Sequence, residues 1–467
     1  MPSLPNLLST RKGRLAGFFC LYLSEGLPQG FTATAVALEF KRMGMSGEAI
    51  GTFAAIIMLP WTWKWIMGPL VDNLHLKQFG RRKQWIVFTQ LGMLLTLVTA
   101  ILLFPQMTTG ADGSRVVTGL ALFSGVLLAH NIFAASQDVA IDALACSTLA
   151  EHERGVANGL MFAGAQVGAA IGGSGVLYLK GVLGFSTASL LAPLLLVAIM
   201  TMVVLMIFEH NVSQTAGGEK PEEHPHHHHK SFEHSLRKIS AYLAVVLRVF
   251  FLTRRGFLGL MLAVIPFGGM ALSLTVSNVL TPTLGMTDNE IATMGLVCSV
   301  IFTACCMTGG FLSDRFGRRL TLAVFSAGTL LPTLWMGWRL HAEGWSFPAG
   351  ASPNGTWPRH EILITAWWTA SLVYSVFQGL MYGIRTAFYM DIVEPRIAAT
   401  HFTACMALLN VVTVYSYWWQ GKAVTPLAQG GWGYTYLHIF LLDAALGAVF
   451  LLLLPFVKPA GQAVVGE

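Results

Sequence analysis

The chain has 467 residues, of which 54% are hydrophobic and only 11% charged, with a formal net charge of +6. Soluble domains carry roughly a quarter charged residues, so this composition excludes a soluble globular protein and places the chain in lipid. Its basic residues are scattered between apolar blocks rather than gathered on one face, which excludes a nucleic-acid-binding surface.

The first apolar block, 15–37, follows Arg11, Lys12 and Arg14 and holds Glu25 and Pro28. It has no small-residue cleavage site and reads as a retained helix, not a secretory signal. Eleven further blocks, each near the roughly 20 residues that a helical crossing needs, predict helices over 48–71, 84–105, 117–144, 156–180, 186–208, 256–281, 289–312, 320–341, 361–391, 399–421 and 433–456. The fold class is therefore an all-α membrane protein of twelve transmembrane helices. Of the 29 Lys and Arg, 20 fall on the segments that share a side with the N-terminus and 7 on the opposite side, counting Lys180 and Arg339 at the span ends there, while Lys64 and Arg385 lie well within spans. By the positive-inside rule both termini are expected in the cytoplasm, in a multi-pass protein of the inner membrane. The six cysteines have neither metal-type spacing nor paired external placement, so neither disulfides nor a metal site is expected.

Between the sixth and seventh blocks, polar residues 211–230 precede an amphipathic run, 231–253. These divide the chain into a six-helix half over 1–210, a linker with an amphipathic helix over 211–253, and a second six-helix half over 254–467. The linker's His226–His229 run reads as solvated rather than metal-binding. The halves repeat one another. GPLVDN ends the second block and GRRK opens the third, and GGFLSDRFGRR joins the eighth to the ninth. Asp72 and Asp314 lie 242 residues apart, and so do Arg154 and Arg396. Two landmarks at one offset indicate a duplicated six-helix unit.

GFLSDRFGRR, with Gly310, Asp314, Arg315, Gly317, Arg318 and Arg319, resembles the signature loop of the major facilitator superfamily. SEGLPQGF (24–31), WKWIMGPLVD (63–72), FGRRKQW (79–85) and ASQDVAIDA (135–143) resemble the AmpG-type muropeptide permeases. That branch also includes siderophore importers and acetyl-coenzyme A transporters. The resemblance implies a proton-coupled importer of a small-molecule or small-peptide solute such as an anhydromuropeptide, with a siderophore as the alternative. It implies no cofactor beyond the proton gradient, and a monomer in the bilayer.

Ionisable groups inside spans are costly and mark function by default. Glu25 and Lys64 are at similar depths on adjacent helices and are expected to pair, with proton uptake by Glu25 breaking the pair. Asp138, one turn deeper than Asp142, is a further proton or solute candidate beside Gln137. Asp142 is expected to latch to Arg81 and Arg82. The remaining latch candidates are Asp72, Asp314, Arg315, Arg318 and Arg319, placed where a helix end meets a basic loop. Arg385, charged at any working pH, suits a carboxylate or phosphate of the solute. Gln166, Gln378 and Asn410 are further candidates to contact it, with Asn278 and the aromatics Tyr415, Tyr417, Trp418 and Trp419 lining the path. Gly164, Gly168 and Gly172 form a small-residue stripe suited to close packing. A membrane-embedded acyl or glycosyl transferase, suggested only by His130 beside Asn131, and a sensor built on a transporter fold are the competing functions.

Overall fold

The computed structural model describes residues 5–67, 71, 80, 82–109, 115–149, 153–209, 248, 250–348, 356–392 and 398–457. Asp72, Arg81, Arg396, nearly all of the expected linker, and the side chains of Arg154 and Asp314 lie outside that description.

Lipid offers the backbone no hydrogen bonds, so each apolar block satisfies its own N–H and C=O groups as a helix. Helix α1 comprises Arg11–Gly30, a wide π turn at Phe31–Val36, and Ala37–Arg42. Helix α2 is Gly47–Met58 followed by tighter turns at Leu59–Thr62 and Lys64–Ile66. Then come α3 (Lys83–Leu102), α4 (Leu120–Thr148), α5 (Arg154–Ala170 with Val176–Leu183) and α6 (Phe185–Ser189 with Leu191–Met206). The second half holds α7 (Arg254–Ala263 and Thr275–Thr283), α8 (Asp288–Phe316), α9 (Arg318–Ala342), α10 (Glu361–Ile392), α11 (Ala398–Ala423) and α12 (Tyr436–Leu453). Strands β1 (Gln106–Thr109) and β2 (Arg115–Thr118) form a hairpin between α3 and α4, with Met107 opposite Val117.

Side-chain caps start several spans. Thr10 accepts from the Gly13 N–H, Ser46 from Ala49, and Thr287 with Glu290 forms a reciprocal capping box at α8. Gly317, at φ 87°, makes the tight turn from α8 to α9 that a Cβ would strain. Among the described residues, seven helices are long and apolar enough to cross a membrane unaided: α3, α4, α5, α6, α8, α9 and α12. The five that fall short are α1, α2, α7, α10 and α11. Four of them hold Glu25, Lys64, Arg385 and Asn410, and the fifth is broken.

The glycine stripe packs within the first half. A Cβ on Gly26 or Gly172 would lie 1.9 Å from a carbonyl oxygen of the facing helix, and one on Gly164 or Gly168 2.3 Å, so α1 and α5 approach backbone to backbone. Between the halves, α2 meets α11 and α5 meets α8; at Gly51 a Cβ would sit 2.3 Å from the Tyr417 carbonyl oxygen. Leu194 and Leu452, 67% and 70% exposed, face outward, as suits a surface solvated by acyl chains. An even number of crossings brings both termini to one face, called here the terminal face; the other is the far face.

Besides α2, whose predicted helix 48–71 ends in tight turns after Met58, one expected span is broken. The predicted continuous helix 256–281 is interrupted between Ala263 and Thr275. Pro266 lacks a backbone N–H, and Gly268 and Gly269 follow it, so the helical ladder stops there.

Candidate functional site

The polar residues of the first half converge near the middle of the bundle. Glu25 is 6% exposed on α1, and Asp138, Asp142 and Lys64 all lie within electrostatic reach of it. Lys64, at the tight turns that end the straight part of α2, donates to Asp138 on α4. The expected Glu25–Lys64 pair is thereby corrected: the extra turn of α2 swings Lys64 toward α4, and the nearer carboxylate takes it. Glu25 is left with a buried Oε1 that has no hydrogen-bond partner.

Asp142 also departs from expectation. It is exposed, and it accepts from the Tyr22 hydroxyl at 2.5 Å. Arg82, its expected partner, places its backbone N–H 2.8 Å from Glu209 Oε1 and its guanidinium 3.1 Å from the Val71 carbonyl. Gln137 is fully buried and donates to Ser24 at 2.8 Å, so it packs α4 to α1 and has no surface to offer a solute. His130, 1% exposed, contacts Thr96 and the Met93 carbonyl as an ordinary core histidine.

In the second half, Arg385 is half-buried on α10. Its guanidinium lies 3.8 Å from the ring centre of Tyr382 and 5.9 Å from that of Phe267, with no hydrogen bond or ion pair among the described residues. Tyr382 in turn meets Phe162 of α5 and Phe302 of α8, at 5.9 and 5.4 Å between ring centres, so Arg385 sits where aromatic rings of both halves come together. Gln166 and Gln378 are half-buried. Asn410 donates to the Trp61 carbonyl across the halves at 2.9 Å, and Asn278 does the same to Ala33 at 3.0 Å. Tyr415 reaches the Val264 carbonyl, Tyr417 and Trp419 are buried, and Trp418 is exposed.

The signature loop has a partner not foreseen. Arg318 pairs with Asp391 at the end of α10, 2.5 Å away, while the side chain of Asp314 lies outside the described residues. Arg319 donates to the carbonyls of Leu454 and Pro455, tying α12 to the loop, and Arg315 is exposed above the Phe316 ring.

Sequence reasoning missed a far-face cluster. Asp288 of α8 receives Arg42 of α1 at 2.5 Å and Lys180 of α5 at 2.9 Å, and Lys180 also holds Glu39 at 2.5 Å. Lys422 of α11 pairs with Glu48 of α2 at 2.5 Å, while the Glu48 N–H donates to Thr425. Among the described residues every ion pair that joins the two halves lies on the far face. These pairs tie the two halves together at the far face, and Asp142 is exposed near the end of α4 that leads to the terminal face. The far-face residues lie at or beyond the ends of the apolar blocks, where only their convergence in the fold distinguishes them. Among the described residues no group of three or more His, Cys, Asp or Glu is arranged to hold a metal ion.

Two six-helix halves that meet around buried charges and are joined by ion pairs at one face define the architecture of a membrane transporter. The chain belongs to the Major Facilitator Superfamily, whose sequence pattern matches residues 15–417. A Rickettsia conorii protein provisionally named transporter AmpG 4 is 24% identical over 458 residues, 94% of this chain and 96% of that one. An uncharacterised Haemophilus influenzae protein is 26% identical over 210 residues, 45% of this chain and 46% of that protein. The crystal structure of a D-xylose–proton symporter superimposes with a TM-score of 0.69 over 96% of this chain and 99% of that one, at 12% identity, which shows a shared fold. The protein is a secondary transporter of that superfamily, multi-pass in the membrane, and not an enzyme.

Proposed function

We propose that the protein imports a bulky anionic solute of the anhydromuropeptide class across the inner membrane, driven by the proton gradient. In this reading it works as a monomer with both termini in the cytoplasm, so the far face is external and the described state opens inward. The observation that carries it is Arg385: a permanent cation lying on an aromatic surface between the halves, with no carboxylate of its own among the described residues. A half-buried guanidinium without a counter-ion is costly, and a solute carboxylate held by its planar fork would relieve that cost. Tyr382, Phe162 and Phe302 supply ring surfaces for the apolar face of a sugar or peptide.

Glu25 is the proton carrier in this reading. Its carboxyl is buried and lacks a partner at one oxygen, whereas Asp138 is committed to Lys64. A carboxyl in such a place can cross the cycle neutral and discharge when the path opens to the other side. Asp142 and Tyr22, on the open side, suit the exit of that proton. The coupled step is the transfer of a proton from external water to Glu25 and later from Glu25 to cytoplasmic water, with no covalent change in the solute.

The test is uptake of labelled anhydromuropeptide by proteoliposomes under an imposed pH gradient. Accumulation that collapses with a protonophore supports the reading. Gradient-independent equilibration removes the proton coupling, and absence of saturable uptake, with iron-loaded siderophore taken up instead, removes the solute class.

A further inference from the structure

The second half contains a buried acid that plays no part in the proton and solute steps above. Helix α7 stops at Ala263 and resumes at Thr275, within the membrane, where unpaired backbone groups find no water. Four other helices satisfy them. Thr329 of α9 accepts from the Gly269 N–H at 3.0 Å, Tyr374 of α10 donates to the Gly269 carbonyl at 2.8 Å, and Tyr415 of α11 donates to the Val264 carbonyl at 2.9 Å. Asp443 of α12, 3% exposed, accepts with its Oδ2 from the N–H groups of both Met270 and Ala271, at 2.7 and 3.0 Å.

Close approach makes this possible. A Cβ on Gly447 of α12 would lie 2.5 Å from the carbonyl carbon of Gly268, so α12 touches the broken backbone directly. The second carboxylate oxygen of Asp443 faces Gln420 Nε2 at 3.5 Å, and Gln420 Oε1 accepts from the Val276 N–H at 3.3 Å. Asp443 thus grips the end of the break directly and the resumed helix through Gln420. That resumed piece carries Asn278, which donates to the Ala33 carbonyl across the two halves. The titratable groups facing Asp443 from the packed helices are Tyr374 and Tyr415, and among the described residues no cation reaches it.

We propose that Asp443 is a proton-sensitive clamp on the break in α7, holding the far-face piece closed as a carboxylate and loosening it when a proton adds to one of its oxygens. The ionised form binds two N–H groups through charge-assisted hydrogen bonds, and the neutral acid is a weaker acceptor. The proton enters from water and returns to it when the clamp re-forms, so nothing else is consumed. Asp443 is a positioning residue that acts through α7. The inference rests on alternating access and is independent of the role proposed for Glu25.

Hydrogen–deuterium exchange of the full-length protein in nanodiscs, followed over residues 264–284 and scaled to intrinsic amide rates, reads the clamp directly. In the wild type this segment is expected to exchange at least about tenfold faster in mildly acidic than in mildly alkaline buffer, the scale of losing charge-assisted bonds. Asp443→Asn is expected to exchange fast in both. Glu25→Gln is expected to keep the wild-type response, so a failed assignment of Glu25 would leave this result standing. Equal scaled rates in the two buffers for the wild type, which needs no variant to fold, would overturn the proposal. A wild-type pH response in Asp443→Asn, or its loss in Glu25→Gln, would do so as well.

Discussion

The two six-helix halves satisfy charge in opposite ways. In the first half the charges are arranged among themselves: Lys64 holds Asp138, Tyr22 holds Asp142, and Glu25 lies within their field. In the second half Asp443 is held by backbone N–H groups and Gln420, and Arg385 by aromatic faces, with no described ion pair for either. The same contrast runs through the first helix of each half. Helix α1 passes Pro28 and continues through a widened turn, whereas α7 stops at Ala263, ahead of Pro266, and two glycines and the close backbone of α12 let other helices take over its hydrogen bonds. A charge paired with another charge gives a local element that responds to protons. A charge paired with a backbone break can move a whole segment.

Neutralising the unpaired acid should give the largest effect. Glu25→Gln is expected to abolish accumulation against a gradient while leaving solute exchange measurable in proteoliposomes, because exchange needs no net proton movement. Full gradient-driven accumulation in that variant would transfer the coupling role elsewhere. The paired charges should behave differently. Lys64→Met leaves Asp138 buried without its cation, at a cost of about 3 kcal/mol in stability, and adding Asp138→Asn should restore most of it. Thermal melts of the single and double variants in detergent read this directly; a double variant no more stable than the single would show that the pair is not the relevant unit.

In the second half, Arg385→Ala should weaken solute affinity by at least about tenfold, and Arg385→Lys by less, since lysine keeps the charge but loses the planar fork. Equal affinity in all three folded proteins would eliminate the contact. The smallest effect is expected at the far face. Asp288→Asn removes the acid shared by Arg42 and Lys180, and because these side chains are about a fifth to a quarter exposed the gain for the open state should be about 1 kcal/mol. Distances between spin labels across the far face should then shift toward the open population, and an unchanged distribution would show that packing of α2 on α11 closes that face without the ion pairs.

Much of this architecture was legible in the sequence. The apolar blocks had to become helices, because the bilayer leaves the backbone no other partner, and ten of the twelve predicted spans differ from the observed ones mainly at their ends. The shared offset of 242 residues pointed to two six-helix halves, and Glu25, Lys64, Asp138 and Arg385 stood out because a charge within an apolar run is rarely incidental. By the same criterion Asp443, in YLHIFLLDAALGAVF, was visible but passed over.

What the chain order by itself did not determine was which charge meets which. Lys64 is near in depth to both Glu25 and Asp138, and the choice was made by tight turns in α2 that no periodicity announces. Gln137 looked like a solute contact until packing turned it toward Ser24. Asp288, Arg42 and Lys180 lie on three separate helices and become one latch only when the halves close. The break in α7 had a local cause in Pro266 and the glycines after it, but its stability depends on α9, α10, α11 and α12 arriving with Thr329, Tyr374, Tyr415 and Asp443. Local sequence sets where a helix can form because backbone hydrogen bonding in lipid is short-range. Pairing of charges and tolerance of a break are settled by side chains hundreds of residues apart, which only the folded bundle brings together.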